Sequence, residues 1–155
     1  MFKKNTGELE EQLRKVHPSD IREYQKANQG DLVTDKEGFL PYMNDRLKEK
    51  KLQKQDVFLR SDIPLRYGYK LLTEEKVTKQ RDVILRICYA AEFTLQETQK
   101  ALRLYRMDTL YARDPRDALL MTCFNMRQGS LSDLNELLVR NGFEALRSSG
   151  KQEEG

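Results

Sequence analysis

Between Asp62 and Asp82 the chain reads DIPLRYGYKLLTEEKVTKQRD. In a helix entered near Pro64, residues Leu65, Arg66, Tyr69 and Lys70 stand at i, i+1, i+4 and i+5 and share one face, while Gly68, Leu71 and Leu72 take the other. A guanidinium, an ammonium and a phenol on one short exposed face can donate hydrogen bonds to base edges and phosphates, and Leu65 can meet a thymine methyl group. Lys76 and Lys79 follow in the loop and add charges suited to backbone phosphates. Such a face, on a helix over about 64–73, is what entry into the major groove of double-stranded DNA needs, and it equally suits a solvated helix surface with no partner.

Catalysis has little material. The single histidine, His17, stands beside Pro18 in a segment of loop character. No His and Cys residues share metal-ligand spacing, no glycine-rich phosphate loop follows a strand, and no nucleophile elbow is present. Carboxylate pairs such as Glu74 and Glu75 read as solvated faces in a chain of which 34% of residues are charged. The expectation is a protein that is not an enzyme and uses no cofactor or metal.

The elements that position the 65–70 face follow from periodicity. Apolar residues recur at three and four, and no stretch of five or more residues alternates cleanly, so an all-α fold is expected. The segments GELEEQLRKV and DIREYQKAN form a loosely attached N-terminal arm over 1–38, punctuated by Pro18, Gly30 and Gly38. Leu40, Met43 and Leu47 set a first helix of the main body at 39–50, with KEKK at its C-terminal end. A second helix runs from Gln53 to Ser61, Asp62 sits at the turn, and the third helix begins at or near Pro64. The chain carries 28 basic and 25 acidic side chains, a formal +3. Residues 39–82 alone hold 11 basic and 7 acidic, so any polyanion-binding surface is expected there.

The later half contains an internal repeat. RDVILRICYAAEF-TLQETQKALRLYRMDTL from Arg81 aligns with RDALLMTCFNMRQGSLSDLNELLVRNGFEAL from Arg116, with one gap opposite Gly129. Arg81 and Asp82 match Arg116 and Asp117, and Cys88 matches Cys123. Thr94 and Ser130 are N-caps, with Glu97 and Asp133 at the capping-box position. Each half reads as a helical hairpin, and the pair as a stack in the manner of short repeat arrays, with YARDP as connector.

The stretch LKEKKLQKQDVFLRSDIPLRYGYKLLTEEKVTKQRDVILRICYAAEFTLQE places a basic end on the first helix, Leu52 before the second and Ile63 before the third. An arginine–tyrosine pair inside the third helix, a fourth helix and a TLQE start to the fifth complete the series. This order resembles the lambda-repressor-like, or XRE, helix-turn-helix domains over about 55 residues, and the chain layout resembles clostridial regulators with extra C-terminal helices. The resemblance implies a five-helix DNA-binding domain over 39–93. Phosphate-contacting positions would fall on Gln53 and Lys54, which join Leu65, Arg66, Tyr69, Lys70, Lys76 and Lys79 as the candidate DNA-binding residues. Where that family usually has an alanine on the second helix facing a larger residue on the third, this chain has Phe58 and Gly68, which predicts a large-for-small exchange. Ser61 replaces a usually apolar residue, which predicts a looser second helix. Glu74 and Glu75 replace a glycine and basic residues.

The expected organisation is thus an N-terminal arm (1–38), a helix-turn-helix domain (39–93), a C-terminal hairpin region (94–150) sharing the fifth helix, and a disordered tail (151–155). The implied function is a sequence-specific transcriptional regulator acting as a homodimer on two half-sites, with the C-terminal helices open to a protein partner. The alternative is an adaptor that uses the same scaffold to bind protein. Cys88 and Cys123 lie in apolar stretches and are expected to be buried free thiols, which favours a reducing, cytoplasmic setting. The longest apolar run, ALLM, is too short for a bilayer, so no membrane association is expected.

Overall fold

The computed structural model describes residues 4–32 and 38–148; the tail expected over 151–155 lies outside them. The chain divides into two compact units, 1–37 and 38–155. Among the described residues there are nine α-helices and no strand.

The first unit holds α1 (Thr6–Leu13) and α2 (Ile21–Ala27). Asn5 caps α1 by accepting from the Glu8 N–H at 2.8 Å. His17 is exposed and has a local role: its Nδ1 accepts from the Ser19 N–H and closes the 3-10 turn Pro18–Asp20. Neither helix buries a residue, in keeping with short polar segments that have too few apolar positions to build a core.

The second unit runs α3 (Phe39–Lys50), α4 (Lys54–Ser61), α5 (Leu65–Leu72), α6 (Arg81–Ala90), α7 (Leu95–Leu104), α8 (Pro115–Met126) and α9 (Leu131–Arg140). Its core is centred on α6, in which every residue from Val83 to Ala90 is buried, because α4, α7 and α9 all pack on it. Cys88 and Cys123 are both buried and free, and burial pushes both thiols up from their ordinary range, so they act as small packed side chains. No helix among the described residues is long and apolar enough to cross a membrane.

The repeat has a geometric counterpart. Thr94 and Ser130 each close a full capping box, with Glu97 and Asp133 respectively. Aligned positions Glu92 and Arg127 both adopt left-handed backbone, as do Arg106 and Gly142. Leu110 N–H donates to Gln99 Oε1 and Leu146 N–H to Asn135 Oδ1, each at 2.8 Å and again at aligned positions. The two hairpins are not a simple stack, however. Arg81 forms a two-pronged ion pair with Asp117 (2.5 and 3.0 Å), and Arg116 forms one with Asp82 (3.1 and 3.2 Å). The same carboxylates accept the N–H groups of Tyr111 and Arg147, both at 3.0 Å.

Each of these contacts maps onto its counterpart when the halves are exchanged, which is the signature of a two-fold relation and not of translation along an array. α6 and α8 lie side by side in the same direction, joined at their starts by the Arg–Asp clasp and near their ends by Tyr89 against Phe124 (centroids 5.4 Å apart). α7 and α9 each contact both of them.

α3 is tied to this bundle through Glu97, which accepts from Lys50 Nζ (2.8 Å), Arg46 Nη1 (3.1 Å) and the Thr94 N–H (2.9 Å). Burial alone would raise the Glu97 carboxyl, but the bonds from Lys50, Thr94 and Arg46 outweigh it and hold it below the usual carboxylate range. A depressed folded-state pKa contributes stability that is present above the unfolded value and lost as pH falls through the folded one. Urea denaturation should therefore show stability falling below about pH 5. Glu97→Gln should be less stable at pH 7 and lose less over the same interval.

Candidate nucleic-acid interface

The surface expected to carry function is built by α4, a tight turn and α5. α4 ends because Asp62 enters left-handed backbone (φ 56°), letting the Ile63 N–H donate back to Phe58 O at 3.1 Å. Ile63 is buried at the corner, and α5 begins beside Pro64, as expected, with the proline as its N-cap residue. Its fixed φ suits that entry, and its carbonyl accepts from the Gly68 N–H at 2.9 Å.

Gly68 is where α5 crosses α4. A Cβ placed there would lie 2.6 Å from Phe58 Cδ1 and 2.7 Å from Cγ and Cε1, so the ring occupies the space a side chain would need. Phe58 is itself fully buried, and the ring of Tyr69 meets it edge-on at 5.1 Å. Leu71 and Leu72 close the inner face. With α5 held this way, Leu65, Arg66 and Tyr69 are exposed and Lys70 is half-buried at the edge of the same face.

The loop after α5 starts with Glu74 in left-handed backbone (φ 58°), the kind of position a glycine usually fills. Its path is then fixed at two points. The Lys76 N–H donates to Lys70 O at 3.1 Å, and the buried Thr78 donates its N–H to the Tyr105 hydroxyl at 3.3 Å. The Lys76 and Lys79 side chains are exposed along this pinned segment, and so are Glu74 and Glu75. At the start of α4, Gln53 is exposed at the N-cap without a side-chain cap bond, and Lys54 is half-buried. The helix thus begins with N–H groups that lack a capping side chain, which favours a nearby anion.

Ser61 does not loosen its helix. It is completely buried, its hydroxyl donates to Phe58 O at 2.9 Å, and its carbonyl accepts from Arg86 Nη1 at 3.0 Å, so the polar replacement is satisfied within the core.

Two features escaped the sequence reading. Arg86, inside the apolar run VILRICY, bonds to Ser61 O, Leu146 O and Arg147 O and joins the end of α4 to the C-terminal segment. Leu59 is 79% exposed and borders an open groove of about 460 Å³ whose lining includes Phe58, Asp62, Ile63, Pro64, Leu65 and Ser148. With Val57, Phe58 and Ser61 pointing inward, the helical period already placed Leu59 outside. Among the described residues no cluster of His, Cys, Asp and Glu could hold a metal ion.

In comparisons with protein-family models, with curated proteins and with solved structures, nothing matched this chain. Fold and site together define an all-α protein with a polar, partly basic face on a short helix held rigidly against its neighbour.

Proposed function

We propose that this chain is a DNA-binding transcriptional regulator of the lambda-repressor-like kind, with α5 as the helix that enters the major groove. The observation that carries the reading is the Phe58–Gly68 crossing, which fixes α5 on α4 while leaving Leu65, Arg66 and one side of the Tyr69 ring exposed. A rigid short helix with an arginine and a tyrosine outward and a lysine at its edge suits contact with base edges. Gln53 and Lys54 at the start of α4, with Lys76 and Lys79 after α5, would meet phosphates on either side. One such helix reads only a few bases, so the reading calls for two copies on two half-sites.

Fluorescence anisotropy with labelled duplex from the upstream region and a scrambled control tests this. Binding should fall steeply with salt, favour the upstream duplex, and weaken by roughly tenfold or more in an Arg66→Ala, Lys70→Ala double variant. A folded protein that ignores duplex DNA at low salt sinks the reading.

The exposed Leu59 and the largely apolar groove beside it favour a second reading, an adaptor that binds protein through Leu59, Leu65 and Tyr69. Such binding would persist at high salt and be lost in Leu59→Asp.

A further inference from the structure

From Glu144 to Arg147 the backbone is held at every residue. Arg116 donates to Glu144 O and Ala145 O, the Leu146 N–H donates to Asn135, Arg86 donates to Leu146 O and Arg147 O, and the Arg147 N–H donates to Asp82. The path of the segment is thereby fixed, and it delivers the exposed Ser148 to the groove at the α4–α5 turn, which Asp62, Pro64 and Leu65 also line. The counterpart segment in the first half, Thr109 to Tyr111, is held by Arg81, Gln99 and Asp117, but its half has Met121 where the second segment has Arg86. The additional guanidinium is the group that ties the second segment to the end of α4, because it also donates to Ser61 O.

Residues 149–155, SGKQEEG, follow Ser148 and lie outside the described residues. Their charges come in order, a lysine at 151 and then glutamates at 153 and 154. The surface beside Ser148 is ordered in the complementary sense: Asp62 lines the groove, and the next charged side chains along the chain are Arg66 and Lys70 on α5. Asp62 and Arg66 are both exposed. Arg46, Arg60, Arg81 and Arg116 are paired with carboxylates, whereas Arg66 has no ion-pair partner among the described residues. Five extended residues span up to about 18 Å, more than the roughly 12 Å length of an eight-residue helix such as α5, so Glu153 and Glu154 are long enough in reach for Arg66 and Lys70.

We propose that segment 149–155 docks on this corner of its own chain, Lys151 against Asp62 and the two glutamates against Arg66 and Lys70. The segment has no large apolar residue, so it meets the charged rim of the groove and not its floor. Exposed ion pairs are weak between separate molecules, but a tethered segment acts at high local concentration. Glu74 and Glu75 are exposed past the far end of α5 and repel the glutamates, which favours Arg66 over positions beyond Lys70. Docked in this way, Glu153 and Glu154 stand where phosphates would meet α5, and the segment competes with duplex DNA. That competition rests on the DNA-binding reading; the contact itself does not.

Two measurements on the full chain separate them. A nitroxide attached through Gly155→Cys, the native Cys88 and Cys123 being buried, reports the contact by broadening amide resonances over 62–70. The comparison protein also carries Lys151→Glu, Glu153→Gln and Glu154→Gln, which together leave the net charge as it was while removing both distal acids and setting an acid toward Asp62. At low salt the broadening at Arg66 and Lys70 should be stronger without the three changes, and added salt should abolish the difference. Without the label, the three changes should raise the affinity for labelled duplex by about threefold to tenfold, the scale of one or two exposed ion pairs. Equal broadening in the two proteins overturns the proposal. Unequal broadening with an unaltered DNA affinity overturns the competition. If neither protein binds duplex at low salt, the DNA-binding reading fails, and unequal broadening still establishes the contact.

Discussion

Gly68→Leu is expected to destabilise the protein by about 1–3 kcal/mol, although it removes a glycine from the middle of a helix. In an exposed helix the loss of a glycine would gain roughly 1 kcal/mol from propensity alone. Here the first atom of any side chain would stand 2.6 Å from Phe58 Cδ1, well inside van der Waals contact. The ring has little room to retreat, since Phe58 is buried and Tyr69 packs its own ring edge-on against it. Gly68→Ala should therefore fail to stabilise, and the larger leucine should force the helices apart.

Pairing the change with Phe58→Ala gives the sharper experiment. Phe58→Ala alone opens a cavity and should cost about 3–5 kcal/mol. With Gly68→Leu added, the leucine can fill part of that space, so the double variant should be more stable than the sum of the singles predicts, by about 1–3 kcal/mol. Urea denaturation of the four proteins measures this coupling. Simple additivity would show that the two residues do not share one volume.

What was legible in the sequence was what local chemistry decides. The helix expected at 39–50 is Phe39–Lys50, because its apolar spacing and its terminal lysines are properties of neighbouring residues. The caps at Thr94 and Ser130 were readable for the same reason, since the partner acid lies three residues away. The outward set Leu65, Arg66 and Tyr69 followed from the period of α5 alone; how far Lys70 is covered did not, because that depends on how α5 lies against the rest of the unit.

Relations over long separations stayed hidden. The alignment matched Arg81 with Arg116 and Asp82 with Asp117, yet both an array and a two-fold pair keep that alignment. Only the crossed bonds, Arg81 to Asp117 and Arg116 to Asp82, distinguish them. Ser61 was misread for a related reason: a polar residue at an apolar position predicts loosening only when it lacks partners, and its partners, Phe58 O and Arg86, include one 25 residues away.

Replacing Arg86 should cost about 2–4 kcal/mol, and more than any exposed arginine in the chain. The guanidinium is almost fully enclosed, and burial pulls its pKa down from the ordinary value while Asp62 and Asp82 pull it back up. Its three nitrogens donate to Arg147 O (2.8 Å), Leu146 O (2.8 Å) and Ser61 O (3.0 Å), so one planar group satisfies carbonyls on two separate parts of the fold.

Arg86→Met installs the residue that occupies the aligned position in the second half, Met121, and tests whether the clamp is what the first half added. It should leave those carbonyls without a donor, and hydrogen exchange should quicken in α4 and at 146–147 before the rest of the unit. Arg86→Lys should recover only part of the stability, because a point charge on a flexible stem lacks the planar fork that reaches two elements at once. A Met variant within about 0.5 kcal/mol of wild type would mean that water replaces the guanidinium at no cost. The clamp joins the C-terminal end of α4 to the chain segment that follows the second hairpin. Loosening at 146–147 therefore removes a support from α4, the helix on which Phe58 fixes α5, and connects the hairpins mechanically to the candidate binding face.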